Sequence, residues 1–242
     1  MNLIKTTLAV IIISCSFIYN STAQTTRTVK QDETLKGRVM QLSQTDTPIK
    51  KEGTVPAVKD TLFRFITKFD KAGSTSRVTA YIKNSINMYS DKKTLDTTIT
   101  TYTHHRDARG ILTRSDVEQG PGEQMRSVIS YDGGGNIRQD SILSAELKTL
   151  YKSDETNRLS EITMLDRKGN VNIIVKYNYD QRGNESKTTN FNTTGKLNST
   201  TYFIYKTYDT KGNWTKRTVQ TDYKNGTSSP GSIQERAYVY YK

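Results

Sequence analysis

One phrase returns along this chain and constrains its architecture more than any other feature: tyrosine, aspartate, two variable residues, glycine, asparagine. It stands at Tyr131–Asn136, Tyr179–Asn184 and Tyr208–Asn213, and Leu165–Asn170 repeats it with leucine in the first place. An aspartate carboxylate accepts a hydrogen bond from the backbone N–H two residues on, which opens a turn. Glycine adopts positive φ without steric cost, and asparagine tolerates the same region. Asp132 with Gly135, Asp166 with Gly169, Asp180 with Gly183 and Asp209 with Gly212 are therefore read as turn formers. Related turns lie at Asp70–Gly73, Asp107–Gly110, Asn192–Gly195 and Lys224–Gly226, with Gly120–Gly122 and Ser153–Asn157 in the gaps.

Between these turns the residues alternate. Ile173, Val175, Tyr177 and Tyr179 share one face of a strand. Tyr202, Ile204 and Tyr208 share another, with Phe203 and Tyr205 opposite them. A period of two in β-branched and aromatic residues is the signature of a strand. Turns at intervals of about 12–17 residues leave strands of roughly 8–10 residues, joined up and down with successive turns at alternate ends. The expected fold is all-β: an antiparallel meander of repeated hairpins forming an open or curled sheet, with no substantial helix after the leader. Ser144–Tyr151 carries a weak helical period, the one exception.

The first residues read as a secretory signal peptide over 1–23. Lys5 precedes an apolar run, Leu8–Ile13, and small residues at Ser21–Ala23 precede Gln24. The run is too short and too interrupted for a transmembrane helix, and nothing later replaces it. Cys15, the sole cysteine, sits within the leader. A lipobox reading, with Cys15 lipidated, is the alternative to ordinary cleavage before Gln24. Residues 24–60 are polar and aperiodic and read as a linker or loosely attached arm, with a first strand suggested at 38–42. Residues 61–242 form the β domain.

The formal charge is +12, and losing the leader removes one lysine and no acid. For an exported chain, anionic glycans, lipopolysaccharide or phospholipid head groups suit this balance better than nucleic acid. The cations are dispersed, as at Lys216-Arg217, so the charge also serves solubility.

The phrase resembles the YD repeat of RHS-type proteins, including short exported members from Bacteroidetes. Tyr131-Asp132, Tyr179-Asp180 and Tyr208-Asp209, each followed by its Gly-Asn, carry the resemblance closely over about residues 130–217 and loosely over 61–242. The resemblance implies the strand-and-turn element and an association with carbohydrate. In large RHS proteins such strands enclose a toxin, and this chain is too short for that role.

Catalytic chemistry finds little purchase. His104 and His105 are the only histidines and, as neighbours in a strand, point to opposite faces. Without a cysteine after the leader, thiol, triad and zinc chemistries lack their groups. The turns carry one acid each, too few oxygens for calcium. No catalytic residue, metal or cofactor is expected. The 15 tyrosines and Trp214 are the remaining handle. Candidate ligand contacts are Trp214, Tyr208, Tyr179, Tyr177 and Tyr202 as ring platforms, with Lys216 and Arg217 for anionic groups. Cross-strand packing is the competing role for the same rings. The expected function is a non-enzymatic envelope-binding module for a glycan or another anionic polymer. The alternatives are a scaffold pairing through a strand edge at Ala237–Tyr241, and a lipid or lipoprotein carrier.

Overall fold

The computed structural model describes residues 35–49, 63–85, 94–120, 125–143, 146–229 and 231–242. The leader, Cys15 and the rest of 1–34 lie outside them. Among the described residues fourteen strands follow one another: β1 (Val39–Pro48), β2 (Phe63–Phe69), β3 (Thr75–Ser85), β4 (Thr94–Arg106), β5 (Leu112–Gly120), β6 (Met125–Tyr131) and β7 (Ile137–Ile142), then β8 (Leu147–Ser153), β9 (Leu159–Leu165), β10 (Val171–Tyr179), β11 (Glu185–Phe191), β12 (Leu197–Tyr208), β13 (Trp214–Tyr223) and β14 (Ser232–Tyr240). No helix occurs among the described residues. Of the weak helical period at Ser144–Tyr151, residues 144 and 145 lie outside the described ones, and Leu147–Tyr151 belongs to strand β8.

Each strand pairs antiparallel with its sequence neighbours, and β14 pairs with β1, so the sheet closes into a barrel. An open or curled sheet is therefore corrected to a closed one. The seam is long: Gln41 faces Val239 and Pro48 faces Ser232. Part of the segment expected as a loose arm, Val39–Pro48, is a full barrel strand between β14 and β2. Its inward positions Leu42, Gln44 and Asp46 are all buried.

The turns sort by rim. Those following β2, β4, β6, β8, β10 and β12 gather at one end, here the near rim. All six are built alike. The aspartate (Asp70, Asp107, Asp132, Asp154, Asp180 or Asp209) accepts at its backbone oxygen from the N–H three residues on, and its own N–H donates to the carbonyl four residues on. Its Oδ1 takes the N–H of Gly134 and Asn136 in one turn, and of Arg182 and Asn184 in another. The residue three after the aspartate has positive φ in every case, glycine in five turns and Asn157 (φ 61°) in the sixth. A register shift follows each turn. This is a tight turn closed by a left-handed residue and a bulge. The opposite, far rim carries the related turns at Asp166 and Asn192.

Buried side chains share one face. Leu42, Thr67, Val78 and Thr100 follow one another across the register, as do Ser115, Ile129, Asp140 and Thr149, and then Ile162 and Val175; Thr188, Arg217 and Arg236 stand on the same face. On a single closed sheet, side chains converge on the concave side, so this is the inward face. Fourteen strands give a backbone diameter of about 25–30 Å, and barrels above about eight strands exceed what side chains alone fill. The inward apolar residues pack as separate wall clusters: Leu159, Ile162, Val175 and Tyr177 in one, Val78, Tyr102, Leu112, Ile129 and Tyr131 in another.

Candidate functional site

Strands β12, β13, β14 and β1 bring five polar side chains and three rings together on the inward wall. Alternation carries Phe203 and Tyr205 inward on β12 and Arg217 inward on β13, since Tyr205 faces Arg217 across the ladder. Arg217 faces Gln234 on β14, while Arg236 faces Gln44 and Gln234 faces Asp46 on β1. Arg217 Nε donates to Gln234 Oε1 at 2.6 Å, and Nη1 donates to Tyr205 Oη at 3.0 Å. Its guanidinium carbon lies 4.2 Å from the Phe203 ring centre and 4.5 Å from that of Trp214. Arg236 sits 3.9 Å over the same indole and donates to Gln44 Oε1 at 2.8 Å. Gln234 in turn donates to Asp46 Oδ2 at 2.9 Å.

Arg217 is 4% exposed. Among the described residues its hydrogen-bond partners are neutral, and no carboxylate lies within ion-pair distance of it. A buried cation is costly unless paired, and ring faces recover only part of that cost. Burial pushes the Tyr205 hydroxyl up to about 12, against the pull of Arg217. That tyrosine stays neutral and donates its proton to the Glu185 carbonyl at 2.7 Å.

The expected contact residues separate. Trp214, 2% exposed, is a spacer between two guanidiniums rather than an open platform. Tyr208 was expected beside Tyr202 and Ile204, but two register shifts near the end of β12 turn it. Its ring centre lies 6.3 Å from that of Tyr205, with Arg182 4.6 Å above it. Tyr202 and Lys216 are on the outward face; Tyr202 is 41% exposed, and Lys216 pairs with Glu235 at 2.9 Å. Tyr177 and Tyr179 sit on β10 in the cluster around Ile162, apart from Arg217 and Arg236, with Arg158 4.7 Å over the Tyr179 ring. Arg236, Gln44 and Gln234 carried no sequence signal beyond alternation in their strands.

Several tyrosines share another task. Tyr179 on β10 donates to the carbonyl of Leu159, Tyr205 on β12 to Glu185, and Tyr238 on β14 to Trp214, at 2.6–2.7 Å. Each acceptor is the first residue of the preceding strand, at the bulge after a near-rim turn. On β4 the same place is held by His104, whose Nε2 donates to the carbonyl of Thr75, the first residue of β3, at 2.6 Å. Because a carbonyl only accepts, Nε2 carries the proton and Nδ1 accepts from Ser115 Oγ at 2.6 Å. Ser115 accepts from Tyr131 at 2.9 Å. Burial holds the His104 pKa below its usual value. His105 lies on the outward face against Asp116. The Ser115–His104 contact has the look of a nucleophile and base, yet Ser115 is fully buried.

No protein-family model matches the chain, and no curated protein sequence is similar to it. The structure overlaps a porin-like protein from Bacteroides uniformis at a TM-score of 0.50 with 9% identity, covering 85% of this chain and 99% of that one. A porin-like protein from Bacteroides vulgatus overlaps at 0.30 with 12% identity, covering 84% and 98%. A chain of the TcdB2–TccC3–Cdc42 structure overlaps at 0.26 with 15% identity, over 80% of this chain and 13% of that one. The first of these is a likeness of fold alone. The other two overlaps are too low to establish kinship, so the resemblance to YD repeats rests on the turn residues themselves.

Proposed function

We propose that the protein is an exported, non-enzymatic binding module whose barrel wall recognises an anionic glycan or a similar anionic envelope polymer. One observation carries this reading: Arg217 is held among aromatic rings with neutral hydrogen-bond partners, on the inward wall of a closed barrel. A carboxylate, sulfate or phosphate on a sugar supplies the missing charge, with bidentate geometry available from a guanidinium. Phe203, half-buried beside it, and Tyr208, half-buried against Tyr205, offer ring surface to the sugar. Export rests on the leader. Ser115 and His104 are committed to bridging strands, His104 to the Thr75 carbonyl and Ser115 to Tyr131, which supports a non-enzymatic reading.

The alternatives lose support. Pairing through a strand edge needs an edge, and Ala237–Tyr241 is already joined to β1, down to the Tyr241 N–H on the Arg38 carbonyl. An acyl-chain carrier needs an apolar cavity, whereas this wall holds Arg217, Arg236, Gln44 and Asp46. Spanning a bilayer needs an apolar outward band. Here Arg114, Asp116, Lys152, Glu161 and Lys176 stand outward, paired with one another on that face.

The test is titration calorimetry of the processed chain against sulfated and carboxylated oligosaccharides at physiological salt. Arg217→Gln is expected to weaken binding at least about tenfold, the scale of one charged hydrogen-bonded contact. Arg217→Lys, which keeps the charge and loses the fork, should fall between. Binding only at low salt, or equal binding by all three proteins, overturns the reading.

A further inference from the structure

We propose that the outward face of β8–β12, toward the far rim, docks on an anionic phospholipid bilayer surface. Among the described residues, six of the nine large exposed hydrophobic ones belong to this one sector or its edge: Leu143, Leu150, Val171, Leu197, Tyr202 and Ile204. The register makes part of them a continuous row. Leu150 faces Thr163, Thr163 faces Ile174, Ile174 faces Phe191, and Phe191 faces Leu197. A second row sets Val171 beside Leu165. Scattered single apolar residues need no explanation, but a contiguous outward patch marks an interaction surface.

The charge around the patch selects the occupant. Lys148, Lys168, Lys176 and Lys196 surround the rows, all exposed, and Lys176 lies 5.5 Å over the Phe191 ring. Of the acids nearby, Glu161 is engaged by Lys152 at 2.7 Å and Lys176 at 4.0 Å, and Asp166 by the N–H groups of Lys168 and Asn170 of its own turn, while Glu146, two residues before Lys148, is exposed; Lys148, Lys168 and Lys196 carry the positive rim. A second copy of this chain fits less well, because a twofold contact would set one lysine-rimmed patch against another. An anionic lipid surface satisfies both parts. Val171 and Leu197, next to the far-rim turns, reach the boundary of head group and acyl chain, while the lysines meet the phosphates. The barrel lies against the bilayer without crossing it. This inference stands apart from ligand recognition on the inward wall.

Co-sedimentation with vesicles tests it, using the processed chain, vesicles of phosphatidylcholine with one third phosphatidylglycerol, and vesicles of phosphatidylcholine alone. Binding to the anionic vesicles at physiological salt is expected, with little to the neutral ones. Removing one lysine, as in Lys168→Ala, should lower the partition about fivefold. Val171→Ser with Leu197→Ser should abolish the salt-resistant part, and circular dichroism checks that the barrel persists. Arg217→Gln should partition as the parent does, which separates this site from the inward one. Equal sedimentation of the Val171/Leu197 double variant and its parent overturns the proposal. So does a concentration-dependent dimer that the double variant abolishes, since the patch then joins two copies.

Discussion

His104 shows how much one side chain decides here. Its imidazole joins three strands: the Thr75 carbonyl on β3, its own β4, and Ser115 on β5. The positions of Tyr179, Tyr205 and Tyr238 on later strands show what it replaces, a donor aimed at the bulge carbonyl. Histidine adds a titration that tyrosine lacks. The unfolded value is about 6.5, and burial lowers the folded one. The unfolded state therefore takes up the proton first as pH falls. Stability from this group is full above pH about 6.5 and is lost progressively below it, down to the folded value. Denaturant unfolding at mildly alkaline and mildly acidic pH should show that loss in the parent. In His104→Phe it should vanish, with stability lower at both values by about 1–3 kcal/mol for the orphaned groups. The expectation that His104 and His105 point apart holds, and Asp116 meets only the outward one. What the sequence did not reveal was that the inward one bridges strands, because Thr75 and Ser115 become neighbours only through pairing.

At the scale of turn and strand, the repeated phrase was largely legible because its physics is local. The carboxylate reaches N–H groups two and four residues on, and the left-handed residue closes the loop, all within six positions. The same hydrogen bonds set an acid limit. Asn170 and its backbone N–H hold the Asp166 carboxyl below the usual range. For Asp132, burial pushes upward but the N–H groups of Asn136 and Gly134 outweigh it. Depressed carboxyls stabilise above the unfolded value of about 3.9, and that gain is lost as pH falls through the folded values. Thermal midpoints should stay level in this respect from neutral pH to about 5 and fall steeply below about 4. Tyr205→Phe keeps the ring and loses the bond to Glu185, and is expected to cost about 1 kcal/mol by chemical denaturation. Gly231 is more exacting. At φ 83°, an added Cβ would sit 3.0 Å from the Val219 carbonyl oxygen. Gly231→Ala should destabilise by about 1–2 kcal/mol for the backbone conformation alone. Bulges were the illegible part at this scale. Alternation placed Tyr208 with Tyr202, and nothing in the local pattern announces the two shifts that turn it toward Tyr205.

Across the whole molecule, closure was the feature hidden from sequence. A meander read locally ends in two edges, and only the match of Leu42, Gln44 and Asp46 with Tyr238, Arg236 and Gln234 removes them. The candidate site inherits that blindness. Trp214 and Arg217 were identifiable as aromatic and basic neighbours of a turn, but Arg236 and Gln44 reach them only across the closing seam. The ends of the ring lie side by side, Tyr241 donating its N–H to Arg38 at 2.8 Å. A permuted chain that links these ends and opens at Gly133-Gly134, where an added Cβ at Gly133 meets nothing, should keep the parent strand signal in circular dichroism. Loss of that signal would mean that the connection of β6 to β7 is needed for assembly.

The seam between β1 and β14 also sets a timetable. Every other ladder joins consecutive strands and can zip as each hairpin is made, with little chain to gather. The last ladder joins residues about 200 positions apart in sequence, as Gln41 with Val239, and its loop-closure cost falls on a single late event. Until that event the intermediate is a growing sheet with two unsatisfied margins, the species most exposed to stray strand partners. Yield in this protein is thus decided at one moment, by whether the final strand finds the first before a neighbouring molecule does.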